Sequence, residues 1–189
     1  MGDLPLMAIG ESFIGTGAEA AHINTVLGRR DGPVGTAWAT ALATPRQGHT
    51  PFIAVVRPSV PTKPMTLFVN KAPITGAEHG NLTWGAAQAG VAGGVADAVA
   101  AQVIDAARCD ELVLIAAVWV NPDATDTDLV YSNNRAATLA ALRAGAEATP
   151  RVEDVLAVRD APFNPFYDGP GAGNPAGPAA ATTQRAPTA

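Results

Sequence analysis

A single cysteine, Cys109, is present in 189 residues, so neither an intrachain disulfide nor a thiolate metal cage can form within one chain. That scarcity suits a reducing compartment. Aromatic residues amount to 5%, which leaves aliphatic and small side chains to fill the core. Basic residues are outnumbered, 12 Lys and Arg against 17 Asp and Glu for a net charge of −5. With the arginines scattered along the chain, no basic field for a phosphate backbone exists, and nucleic acid is excluded as an expected partner. No segment supplies the roughly 18 apolar residues of a membrane span. "MGDLPLMAIGES" lacks the basic region and long apolar stretch of a secretory leader. A cytoplasmic protein is expected, in which the sequon at Asn81 has no meaning. GxGxxG and GxxxxGK[ST] are also missing, so the usual nucleotide fingerprints do not apply.

What is present points to one folded body. Hydrophobic residues make up 48% of the chain, enough for one domain with a substantial core, and the length is too short for two ordinary ones. After Pro162 proline, glycine and alanine dominate without hydrophobic period. The expectation is a domain over residues 1–160 and a disordered tail over 161–189. "LMAIGESFIG" and "AAHINTVLG" read as strands joined by a glycine turn, and Pro33 starts a helix in "TAWATALAT". "TPFIAVVRP" and "MTLFVNK" read as buried strands separated by a proline-stiffened loop. Residues 82–107 carry Val91, Val95, Val99 and Val103 at a helical spacing, with glycines at 90, 93 and 94 that demand close packing. "ELVLIAAVWV" reads as a central strand and "TDLVYSNNRAATLAALRAGAEA" as a second long helix. This order predicts a single two-layer α/β domain, a mixed β-sheet with helices on one face.

The three histidines, 22, 49 and 79, share no metal-ligand spacing, and no metal site is expected. "DATDTD" at 123–128 lacks the glycine and terminal glutamate of a calcium loop, so caps and first-turn acids of the last helix are the expected reading. His22 and Asn24 are different. On a strand they share one face, which would bury two polar groups unless it looks into a wet cleft or a subunit interface. Lys71 ends an apolar strand, as a snorkelling side chain or a site residue. Gln88 stands in a small apolar helix start, on a solvated face unless it meets a ligand.

"IGESFIGTGAEAAHINTVLG", "GPVGTAWATAL", "GHTPFIAVVRPSVPTKPMTLFVNK" and "WGAAQAGVAGGVADAV" occur together in this order. The chain resembles the formaldehyde-activating enzyme family from about Ile9 to Ala144. "NNRAATLAALRA" is similar to the family's "YNYxATKLAI" helix. The resemblance implies a lyase that condenses formaldehyde with tetrahydromethanopterin to the methylene derivative and water, in one-carbon metabolism and formaldehyde detoxification. It also implies a left-handed β-α-β crossover, and a homopentamer with the pterin between neighbouring subunits. In such an assembly the glycine-rich helix would meet another chain. No covalently bound cofactor and no metal are implied, with the pterin as co-substrate.

Carried over residue by residue, the resemblance implies that His22 is the catalytic histidine of "AH[IV]D". Ile53 matches an apolar pterin contact after "GHTP", Lys71 the lysine of "NKVT" or "PKVT", and Gln88 the glutamine of "FGPAQ". Two further substrate-binding positions depart from the pattern: aspartate has become Asn24 and threonine has become Pro73. Asparagine still forms hydrogen bonds but cannot take a proton or stabilise a cation by charge. Proline lacks both the hydroxyl and a backbone donor. Trp84 replaces the phenylalanine of "FGPAQ". These changes keep two alternatives open: another reduced pterin or amine carrier, or a protein that binds pterin or aldehyde without turnover. Expelling hydroxide from the carbinolamine needs an acid, and a histidine in that role contributes about 10² to 10⁴ in rate.

Overall fold

The computed structural model describes residues 6–170. The chain forms two compact units, Met1–Thr149 and Pro150–Ala189. In the first, alternating side chains make β1 (Ala8–Ile14) and β2 (Ala21–Arg29) an antiparallel pair. Gly15 and Gly17 turn the chain between them, both at positive φ. α1 (Pro33–Ala43) begins at Pro33, whose missing N–H costs nothing there.

The apolar run after His49, expected as one buried strand, divides into β3 (Phe52–Ile53) and β4 (Val55–Arg57). Ala54 is the pivot. Its N–H donates to Thr66 O in the main sheet, while its carbonyl accepts from Thr62 N beside a hairpin of β4 with β5 (Val60–Pro61). The strand therefore leaves the sheet after two paired residues, and Val56 is exposed. β6 (Met65–Asn70) is followed by α2 (Ala77–Asn81), a π-helical turn at Leu82–Ala87 and α3 (Gln88–Ala100). The helix expected over 82–107 thus ends early, because Gln102 adopts a left-handed φ of 59°. β7 (Leu112–Trp119) and α4 (Thr127–Glu147) complete this unit. Asp126 caps α4 by accepting from Asp128 N and Leu129 N, 3.0 Å each, as the reading of "DATDTD" expected. In the second unit α5 (Val152–Ala157) is the one α-helix among the described residues.

The main sheet has the order β1-β2-β7-β6-β3, antiparallel except for the parallel β6–β7 pair. A parallel pair needs a crossover, which the α2–α3 segment supplies. The expected mixed α/β class is present, with α3 and α4 forming the helical layer.

Glycine explains how closely this layer sits. A Cβ on Gly90 would lie 2.5 Å from Tyr131 O, one on Gly94 2.5 Å from Arg135 O, and one on Gly10 only 1.7 Å from Ala141 O. The glycine stripe of α3 therefore packs on α4 of the same chain, not on the neighbouring chain that the resemblance suggested. Arg135 of α4 clasps Asp97 of α3 through Nε at 2.6 Å and a terminal nitrogen at 2.7 Å. Beneath, Ile23, Phe68, Val91, Val118 and Val130 form one apolar cluster, and Val95, Ile104, Leu114 and Leu142 a second.

Candidate active site

The site lies on the sheet face turned away from α3 and α4. Pairing places side chains in rows across this face: Phe13, His22 and Trp119, then Glu11, Asn24, Ala117 and Val69, then Ile9, Val26, Ile115, Leu67 and Ile53. Lys71, two residues after Val69, follows the same alternation, and its N–H still donates to Val118 O at 2.7 Å. α1 reaches this side through Val34, which packs beside Gly28 at the far end of β2. The His22 end is left open, with the His22 side chain 38% exposed.

Two polar contacts define the cluster. His22 Nε2 lies 3.0 Å from Glu11 Oε1, and Lys71 Nζ donates to Asn24 Oδ1 at 2.7 Å. The Phe13 ring packs tilted against the imidazole at a centroid distance of 6.0 Å. Burial lowers the His22 pKa below its ordinary value and the positive charge of Lys71 adds to this, while Glu11 opposes through its charge and its hydrogen bond. At neutral pH the imidazole is therefore mainly uncharged, with Nε2–H donated to Glu11 and Nδ1 able to accept a proton. Burial also lowers Lys71, to about 8, against the pull of Glu11. An amine lowered to about 8 and a neutral imidazole on one sheet face are equipped to exchange protons with a substrate.

Of the residues singled out from sequence, His22, Asn24, Lys71 and Ile53 share this face, and Asn24 and Lys71 touch. Pro73 is exposed two residues beyond Lys71, against Gly48, whose φ of 75° leaves no strain-free room for a side chain there. The loop is tied by Asn70 Nδ2, which donates to Gly48 O and Ala72 O at 2.7 Å each, while His49 Nδ1 donates to Asn70 O at 2.9 Å. Gln88 stands apart, in the helical layer on the other side of the sheet. It is buried, not solvated, and Nε2 donates to Val55 O at 2.9 Å. His79 is a satisfied core histidine: Nε2 donates to Val120 O at 3.1 Å and Nδ1 accepts from Thr75 N at 3.2 Å.

Sequence reasoning missed Glu11. Its signal was present, since Glu11 and Phe13 alternate with buried residues on β1, but the register with β2 was needed to bring it to His22. Among the described residues no group of three or more His, Cys, Asp or Glu is arranged to hold a metal ion.

Comparison with known proteins adds to this geometry. The family model described as "Formaldehyde-activating enzyme (Fae)" matches residues 9–167. The chain belongs to the formaldehyde-activating enzyme family. A family relative from Methanosarcina barkeri (strain Fusaro / DSM 804), called 5,6,7,8-tetrahydromethanopterin hydro-lyase, is 44% identical over 158 residues, which are 84% of this chain and 89% of that one. Proteins called bifunctional enzyme Fae/Hps are 40% identical in Methanococcoides burtonii and 41% identical in Archaeoglobus fulgidus. This chain covers 39% and 40% of their lengths, so the family domain is one part of those longer proteins.

Proposed function

We propose that the protein is a lyase that condenses formaldehyde with tetrahydromethanopterin to 5,10-methylenetetrahydromethanopterin and water. The observation that carries this reading is the His22–Glu11 pair beside Lys71 on the open sheet face of a chain in this family. His22 rests neutral, so it accepts a proton before it donates one. It takes the proton released when a substrate amine adds to formaldehyde, then returns it to the departing oxygen, so that water leaves instead of hydroxide. Glu11 holds the ring and stabilises the transient imidazolium. Asn24 and Ile53 orient the pterin from the same face, Lys71 contacts it, and Pro73 and Gln88 contribute from the loop and from a neighbouring subunit. We assign no metal and no bound cofactor to the reaction. The protein works in the cytoplasm as a homo-oligomer, a pentamer by family likeness, with its domain over residues 1–160 and a tail beyond.

The neutral Asn24 and the exposed Pro73 favour a second reading: the same chemistry on another reduced pterin or amine carrier. The test for both is the rate of methylene product from formaldehyde and tetrahydromethanopterin, at a pH where the spontaneous reaction is slow. The expected result is acceleration that falls about 10²- to 10⁴-fold in His22→Ala, the worth of general acid–base catalysis. No acceleration by a folded protein would reject tetrahydromethanopterin, and turnover with a different carrier would select the second reading.

A further inference from the structure

We propose that Lys71 is a nucleophile, whose amine captures formaldehyde covalently and passes the one-carbon unit to the substrate amine. The inference rests on the reading of formaldehyde as substrate and deepens it. Its ground is what Lys71 touches. Its partner at 2.7 Å is the amide oxygen of Asn24, a neutral acceptor that takes one N–H and has no charge with which to hold the amine as ammonium. The chain has only one other lysine, Lys63, and that one is ion-paired with the carboxylate of Asp110. Lys71 is half-buried on the open face, and its pKa of about 8 keeps a substantial neutral fraction near pH 7.5. The His22–Glu11 pair on the same face supplies a proton acceptor for the addition.

The step balances without redox change. The lone pair of Lys71 Nζ forms a C–N bond to formaldehyde, the C=O π pair goes to oxygen, and a proton moves from nitrogen to that oxygen through His22. His22, reprotonated from solvent across the open face, puts a second proton on the oxygen, and water leaves as the nitrogen lone pair forms C=N, giving an iminium. The substrate amine then attacks the carbon and its proton passes to Lys71 Nζ. The C–N bond to Lys71 breaks with its electron pair returning to Nζ, as the substrate nitrogen's lone pair forms a new C=N. The second substrate amine closes on that carbon and releases its proton to solvent. A lysine amine with a depressed pKa is suited to this chemistry.

The full chain would be treated with carbon-13 formaldehyde and sodium cyanoborohydride at pH 7.5, which reduces any iminium to a stable N-methyl group, and the label mapped by peptide mass. Label at Lys71 at least about tenfold faster than at Lys63 is expected, since the Lys63 amine is held in an ion pair with Asp110 while the partner of Lys71 is a neutral amide oxygen. Equal rates would overturn the proposal. Asn24→Asp, which sets a carboxylate against the amine, is expected to slow labelling of Lys71, whereas Lys63→Arg leaves it unchanged. Lys71→Arg keeps the cation and donors but not the nucleophile, and is expected to lose pterin-dependent turnover. If Lys71→Arg keeps that turnover, the covalent step is wrong while the condensation stands. Selective labelling without pterin turnover would instead reject the pterin and leave the capture intact.

Discussion

Glu11 puts a carboxylate 3.0 Å from His22 Nε2, and its charge raises the pKa of both His22 and Lys71 against the lowering by burial. Glu11→Gln keeps an oxygen that can accept the Nε2–H but removes the charge. The sign follows directly: with less support for the cation, His22 titrates lower still, and Lys71 falls below about 8. An NMR titration of the His22 imidazole should show its midpoint moving down. The acid limb of the pH–rate profile should move to lower pH with it, and an unmoved limb would remove Glu11 from the proton path. This contact illustrates what was legible in the residues themselves. The polar pair on β2 announced itself because polar side chains on an apolar strand are costly. Glu11 did not, since an exposed acid on an edge strand has a bland explanation until β1 and β2 are in register.

At the scale of elements, the sheet and helices follow from local pattern where the pattern was unambiguous: β1, β2, α1, β6, β7 and α4 are near the expected positions. The exceptions are non-local. The division of β3 from β4 depends on Ala54 bonding to Thr66 and Thr62, which no local periodicity records. Gln88 was open to a solvated reading because its partner, the Val55 carbonyl of β4, is 33 residues away in sequence. The glycines of α3, by contrast, stated a requirement the fold meets. A methyl at Gly94 would sit 2.5 Å from the backbone oxygen of Arg135 and 2.7 Å from Thr138 Cβ, so α3 and α4 must separate to admit it. Gly94→Ala should therefore destabilise the protein by about 1–3 kcal/mol from overpacking, less about 1 kcal/mol regained in helix propensity. Gly85, whose Cβ would meet nothing within 4 Å, is the matched control, and Gly85→Ala should be neutral or stabilising. Chemical denaturation of both variants gives the comparison. Equal midpoints would mean that the α3–α4 contact is looser than its geometry.

At the scale of the whole molecule, the second unit poses a question of solvent. Val152, Val155, Leu156, Val158, Phe163, Phe166 and Tyr167 are all exposed there, an unusual density of large apolar side chains for a segment facing water. In the first unit Ile9, Phe13, Trp84 and Leu129 are exposed as well. Burying such side chains against a second copy would each be worth about 1.5–3 kcal/mol for a fully covered residue, which gives the proposed homo-oligomer a driving force. Among the described residues neither core cluster contains one beyond Leu142, and His22, Glu11, Asn24 and Lys71 all precede it. A chain cut after Thr149 should consequently keep its fold and far-UV circular dichroism, yet sediment as a smaller species than the full chain at the same concentration. A cut after Pro170, which removes only proline-, glycine- and alanine-rich sequence, should leave the assembly as it is. If the shorter chain assembles as well as the full one, the apolar residues of the second unit are not interface, and the contacts between copies must come from the first unit alone. If it fails to fold, the two units depend on each other for stability, and the division at Thr149 is one of contacts only.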